Sequence, residues 1–325
     1  MEKNNKKLSN KTWLKPLCYA LAIILCYIII SILIENRTFG RKYTSLFIPI
    51  GINIMLAVSL NITTGFLGEL SLGHAAFLAV GAYSGALVTT NLVSVPEIPA
   101  MILALLTGGV LAAVAGILIG IPVLRLRGDY LAIATLAFGE IVRSIINTLK
   151  ITGGPKGISS IPAYSNYTLV YVFVIITILF AMNLKKSRFG RAIFAIRDND
   201  IAAEAMGIPL TKYKILAFTI SAFFAGIAGV LYAHDRSIIK PDQFDYNKSI
   251  DILVYVVLGG MGSIKGSVIA AIILTVLPQA LSEFGEWRML SYALALIIIM
   301  IFNAGDIREK LGKFSTALRE KKGEN

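Results

Sequence analysis

Residues 185–214 read KKSRFGRAIFAIRDNDIAAEAMGIPLTKYK, and this stretch decides how the rest of the chain is organised. It interrupts a succession of apolar runs. It is basic at its start and helix-like in its middle, and Gly207 is suited to ending a helix as a C-terminal cap. The core, Ile201-Ala202-Ala203-Glu204-Ala205-Met206-Gly207, offers small side chains. A short helix that must seat in a cleft of another protein needs such a surface, and the spacing predicts a helix over 198–208. The same composition also fits a solvated linker between two spans.

Outward from that loop the sequence is that of a membrane protein. Of 325 residues, 56% are hydrophobic and 15% charged, against roughly 25% charged in soluble domains. Mean hydropathy is +0.74. Several apolar runs approach the ~20 residues that cross a bilayer core. Candidate spans are 14–34, 44–64, 75–92, 99–124, 130–149, 167–184, 213–233, 250–262, 267–282 and 288–303. The fold class is therefore all-α: a polytopic transmembrane bundle of about 8–10 spans, with broken helices and a cytoplasmic helix. The ~10-residue alternation of a β-barrel is missing from the sequence. A single transmembrane domain over 14–305, with its loop at 185–212, lies between basic tails at 1–13 and 306–325.

The net charge of +12 does not indicate nucleic acid, because the basic residues flank apolar runs as the positive-inside rule expects. Both tails, Arg125 to Arg127 and the 185–214 loop then face the cytoplasm. Loop 91–98 has no Lys or Arg and faces outward, whereas Arg37, Arg41 and Lys42 are discordant. The first apolar run is too long for a signal peptide and has no small-x-small cleavage site before Glu35. Cys18 and Cys26 share one run, ~12 Å apart if helical, so they pack rather than bridge.

Two glycine-rich interruptions follow apolar runs: Gly65-Phe-Leu-Gly68-Glu69-Leu-Ser71-Leu-Gly73-His74, and Gly259-Gly260-Met261-Gly262-Ser263-Ile264-Lys265-Gly266-Ser267. Unwound backbone is tolerated in a membrane only where it is buried or lines a cavity. Gly65, Gly68, Glu69, Ser71, Gly73, His74, Gly259, Gly260 and Gly262 are thus candidates for a translocation path. The alternatives are tight interhelical turns, with Glu69 and His74 bonding nearby backbone or a neighbouring subunit. Small residues recur every four positions at Gly108, Ala112, Gly116 and Gly120, at Ser221, Ala225, Gly229 and Ala233, and at Gly81 and Gly85, which permits close helix packing. Glu140 and Arg143 share a helix face and can pair within the membrane. Asp129 and Asp251 are placed to cap the helices that follow them. No catalytic constellation, metal-ligand spacing or G-x4-GK-[ST] phosphate loop is present.

The chain resembles the permeases of branched-chain amino acid ABC importers. The resemblance is carried by GFLGELSLGHAAFLAVGAY at 65–83, GDYLAIATLAFGEIVR at 128–143, TGGPKGISSIP at 152–162, SRFGRAIFAIRDNDIAAEAMGI running into KYKILAFTISAFFAGIAGVLYA, and VVLGGMGSIKGSVIAA at 256–271. These run in order from about 50 to 305, and the pattern is nearest the LivM-type subunit. Urea and short-chain amide permeases share much of it. In the loop, Ala202, Ala203 and Gly207 match the generic coupling pattern, while Ile201 stands where that pattern has glutamate.

The resemblance implies a transporter subunit rather than an enzyme. It would pair with a LivH-like permease, two cytoplasmic ATPases and an extracytoplasmic amino-acid-binding protein in a bacterial cytoplasmic (inner) membrane. It implies no cofactor on this chain, ATP and Mg being held by the partner subunits. It assigns ATPase coupling to Arg191, Arg197, Asp198, Ala202, Ala203, Glu204 and Gly207.

Overall fold

The computed structural model describes residues 45–92 and 95–281, with isolated residues between 25 and 32 and between 290 and 297. The expected spans 14–34 and 288–303, both tails, both cysteines and Arg37, Arg41 and Lys42 fall almost wholly outside the described residues. The chain divides into two compact units, Met1–Phe47 and Ile48–Asn325, and the helices of the bundle lie in the second.

Ten α-helices and no β-strand occur among the described residues. They are α1 (Phe47–Asn61), α2 (His74–Asn91), α3 (Glu97–Val123), α4 (Asp129–Thr148), α5 (Tyr167–Lys186), α6 (Arg188–Asp198), α7 (Asp200–Ala205), α8 (Leu210–Arg236), α9 (Tyr246–Gly259) and α10 (Ile264–Ala280). Each described expected span is present to within a few residues. α1 continues as a π-helical turn, Ile62–Leu67, and with that turn it is long and apolar enough to cross a membrane, as are α3, α4, α5 and α8. This is an all-α polytopic bundle.

Burial orders the bundle. Nearly all of α1 is buried, whereas α3, α4 and α5 leave most of their surface outside. α2, α3 and α8 pack on one another through glycine. A Cβ on Gly81 or Gly108 would run into the backbone or side chains of Gly226, Val230 and Gly81, and one on Gly229 into the Leu78 carbonyl and the Ala82 amide. Gly229 and Gly108 belong to the four-residue series read in the sequence. Gly226 does not, yet it too packs closely, against Gly81 and Gly108.

α9 has 14 residues, about 21 Å at 1.5 Å per residue, so it falls short of a ~30 Å hydrocarbon core. It turns back at Gly260 (φ 87°) and Gly262 (φ 84°) into α10. Gly259 and Gly266 face each other so closely that a Cβ on either would enter the other's backbone. The short helix expected at 250–262 is thus one arm of a tight helical hairpin.

Two expected caps are corrected. α9 starts before Asp251 and is capped by Asp245, whose Oδ1 accepts from the Lys248 amide at 3.1 Å. Asp129 lies within the first turn of α4, with Gly128 at the cap position and no side-chain bond there. An acidic side chain in a first turn still complements the helix dipole.

Candidate functional site: the junction of the polar loop with two interrupted helices

The polar loop folds as two helices: the short helix expected over 198–208 is present as α7, Asp200–Ala205, and α6 precedes it. Asn199 breaks the run: it adopts extended backbone (φ −161°) and its Oδ1 accepts from the Ala202 amide at 3.0 Å. Ser187 caps α6 in the same way through the Gly190 amide, also at 3.0 Å. α7 ends at Gly207, which takes up φ 81° while its amide bonds to Glu204 O and that of Ile208 to Ala203 O. The expected glycine cap is therefore present. Ala203 is buried; Ala202, Glu204, Ala205 and Gly207 are exposed. Ile201 at 72% and Met206 at 83% exposure stand out from this tip.

The loop is bolted to both glycine-rich interruptions. The π-helical end of α1 presents its Gly65 carbonyl, which accepts from Arg197 Nη1 at 3.1 Å. The Gly262 carbonyl accepts from Lys185 Nζ at 3.0 Å. The two interruptions also bind each other. Asn61 Oδ1 accepts from the Gly262 amide at 2.8 Å, and Asn61 Nδ2 donates to Ser267 Oγ at 3.0 Å. A Cβ on Gly65 would collide with Asn61 and the Gly262 amide, so only glycine lets the two segments close. Phe66 and Phe194 pack with ring centroids 5.1 Å apart, and the Arg197 guanidinium lies 4.9 Å from the Phe194 ring centre.

Two ion pairs complete the junction. Glu69 and Lys214 bond at 2.5 Å with only 13% and 10% of their side chains exposed. Arg127 reaches Asp200 at 3.0 Å, across from the α3–α4 turn to the start of α7. Arg197 also holds Asp198 at 2.9 Å, and Arg191 donates to the Lys186 carbonyl at 3.1 Å.

The expected path residues thus separate into two groups. Gly65, Gly68, Glu69 and Gly262 belong to this junction, with Gly259 and Gly260 in the adjoining α9–α10 turn. Ser71, Gly73 and His74 instead lie deeper, in the packed interior. Between Leu67 and His74 the chain is unwound and climbs back into the bundle. Its freed amides are met by hydroxyls: Leu72 N donates to Thr135 Oγ1 at 2.9 Å and Ala75 N to Ser249 Oγ at 3.0 Å. His74 Nε2 sits 2.9 Å from Ser59 Oγ, and Ser221 Oγ donates to the Ser59 carbonyl at 2.6 Å. His74 is a buried core residue bonded to a side chain, Ser59, of its own chain. The Ser71 hydroxyl is buried without a partner among the described residues.

The Glu140–Arg143 pair forms, at 2.7 Å, and Asp242 joins it 3.6 Å from Arg143. Ser144, Asn147 and Pro241 line the same cleft. It lies toward the C-terminal end of α4, away from the junction at that helix's start.

Sequence reasoning missed Asn61, Arg127, Asp200, Lys185, Lys214 and Asp242 as members of these clusters. Asn61 carried a usable signal: an amide in an apolar run, four residues before Gly65 and so on its face. The others look like ordinary flanking charges until the fold supplies their partners.

A bundle of long apolar helices with a braced amphipathic element at one end defines the transmembrane subunit class of a membrane transport system. The chain belongs to the family described as "Branched-chain amino acid transport system / permease component", which matches residues 42–303. It is 38% identical over 286 residues to the high-affinity branched-chain amino acid transport system permease protein LivM of Salmonella typhimurium, covering 77% of this chain and 66% of that protein. It is 27% identical over 286 residues to a probable branched-chain amino acid transport permease protein LivM of Methanocaldococcus jannaschii (76% and 82% covered), and 26% over 301 residues to the fructose import permease protein FruG of Bifidobacterium longum (84% and 87%). The chain thus spans about two thirds of the Salmonella relative's length. No solved structure matches it.

Proposed function

We propose that this chain is one of two permeases of an ATP-driven importer and forms half of the path for branched-chain amino acids. The observation that carries the reading is the junction. An element with an exposed tip of Ile201, Ala202, Ala205 and Met206 is tied by Arg197 and Lys185 to the two backbone interruptions. A push on that tip reaches the membrane helices directly, through bonds a few residues long. The tip would seat in a cytoplasmic ATPase, which holds ATP and Mg. A second, LivH-like permease would complete the path, and an external binding protein would deliver the amino acid. The junction end then faces the cytoplasm of a bacterium, and the Glu140–Arg143–Asp242 cleft lies toward the outside.

The likeness to LivM proteins at 38% identity supports amino acids over urea or short-chain amides. The test is uptake by the complete complex reconstituted in vesicles, with ATP inside and leucine, isoleucine, valine or urea outside. Leucine uptake that unlabelled valine or isoleucine suppresses and urea does not is the expected result. Urea uptake indifferent to leucine would overturn the substrate, and uptake without ATP would overturn the mechanism.

A further inference from the structure

Between α5 and α10 runs an open groove of ≈ 580 Å³, lined by Ile178, Met182, Ile264, Val268 and Ile269 along its length and by Lys185, Lys186, Lys265 and Ser263 at one end. We propose that it is a binding site for a membrane phospholipid with an anionic headgroup.

Charge and direction carry the inference together. α5 runs toward the loop end of the bundle and finishes on Lys185 and Lys186, while α10 begins there with Lys265. Each helix therefore places cations at the loop end and apolar side chains away from it. Ile178, Met182 and Lys185 lie on one face of α5, as do Lys265 and Ile269 on α10. From Lys185 to Ile178 is seven residues, about 10 Å of helix. That is a headgroup site with room below it for the upper part of an acyl chain.

Lys265 is the telling residue. A cation in the first turn of a helix opposes the helix dipole, whose N-terminal end is positive. No acidic side chain occupies that first turn, and none of Lys185, Lys186 and Lys265 forms an ion pair among the described residues. An anion at this spot would meet the ammonium groups of Lys186 and Lys265, the remaining N–H donors of Lys185, whose Nζ already donates to the Gly262 carbonyl at 3.0 Å, and a helix N-terminus at once. A phosphate attached to an acyl chain also fills the apolar trough, which a free phosphate would leave empty. Basic pockets between membrane helices at the headgroup level recognise anionic lipids in this way. Nothing here depends on what the chain transports.

The test is native mass spectrometry of the full-length chain in its complex, stripped of lipid in detergent and titrated with phosphatidylglycerol or phosphatidylcholine. Phosphatidylglycerol should bind at the lower concentration. Lys186→Gln with Lys265→Gln, both at exposed positions, should weaken phosphatidylglycerol roughly tenfold or more, on the scale of two lost lysine contacts, and leave phosphatidylcholine unchanged. Val268→Trp should fill the trough and weaken both lipids. Equal phosphatidylglycerol binding by the wild type and the lysine double variant would overturn the site. So would a photo-reactive side chain at position 269 that captures protein, from this chain or a partner, in place of lipid.

Discussion

Where α2, α3 and α8 cross, glycine serves contact. Gly81, Gly108, Gly226 and Gly229 let the helices approach until backbone meets backbone or a small apolar side chain. At 65–68 and 260–262 the same residue leaves backbone open instead. The Gly65 and Gly262 carbonyls are taken by Arg197 and Lys185, and the Gly262 amide by Asn61. The first arrangement has one close-packed solution and is rigid for that reason. The second is held by a handful of polar bonds at the bundle's end, which can be exchanged without unpacking a core. In the importer proposed above the two would divide the work: a body that does not deform, and a joint through which it is driven.

The comparison breaks most visibly at Gly229. Gly229→Leu would drive a side chain into the Leu78 carbonyl and the Ala82 amide, where backbone cannot step aside. Overpacking a core costs roughly 1–3 kcal/mol even where side chains can move, so this change should abolish the folded chain. Loss of the monodisperse peak in fluorescence-detected size exclusion checks it; a normal peak would mean that α2 and α8 are not packed as described.

The joint should respond differently, beginning with its buried ion pair. Glu69→Gln leaves Lys214 charged in a nearly enclosed site, and breaking such a pair costs about 3 kcal/mol. Adding Lys214→Met should restore most of the lost thermal stability, since replacing both partners is close to neutral. Thermal unfolding of the three variants in detergent decides this. If the double variant is no better than the single, the pair is not what holds the unwound segment down.

The smallest effect on folding, and the sharpest on function, belongs to Arg197. Arg197→Ala removes one charged hydrogen bond to Gly65, worth about 1.5–3 kcal/mol, from a partly exposed position, so the bundle should remain intact. Uptake per ATP hydrolysed should fall roughly tenfold if that bond transmits the partner's motion, the scale of ~1.4 kcal/mol of lost coupling. Arg197→Lys should recover only part, because an ammonium cannot fork to Gly65 and Asp198 together. Unchanged uptake in Arg197→Ala would leave the joint a purely structural tie.

Much of this was legible in the chain itself. The helices announced themselves because an apolar run of bilayer length has few other solutions, and the described ones begin and end near where hydropathy changed. Gly207 was readable as a cap because a left-handed residue at a helix end is a local demand. The helix expected over 198–208 is present but shorter, at 200–205, because Asn199 caps it through the Ala202 amide and Gly207 ends it. Asp251 was misread as a cap because Asp245, six residues earlier, already held that position.

The sequence by itself determined the fold class, the placement of the described apolar helices and the polar loop, which rest on composition and periodicity along one stretch, and the family, which rests on its ordered motifs. Only the tertiary structure decided that the two glycine-rich interruptions and the loop form one junction, that His74 belongs to the core, and that Lys185, Lys186 and Lys265 crowd one end of a groove. The physical reason is distance along the chain. Arg197 and Gly65, or Lys185 and Gly262, lie far apart in sequence and carry no mark of each other. A charged side chain near the end of a span looks alike whether it faces water, a freed carbonyl or a lipid, until packing assigns its neighbour.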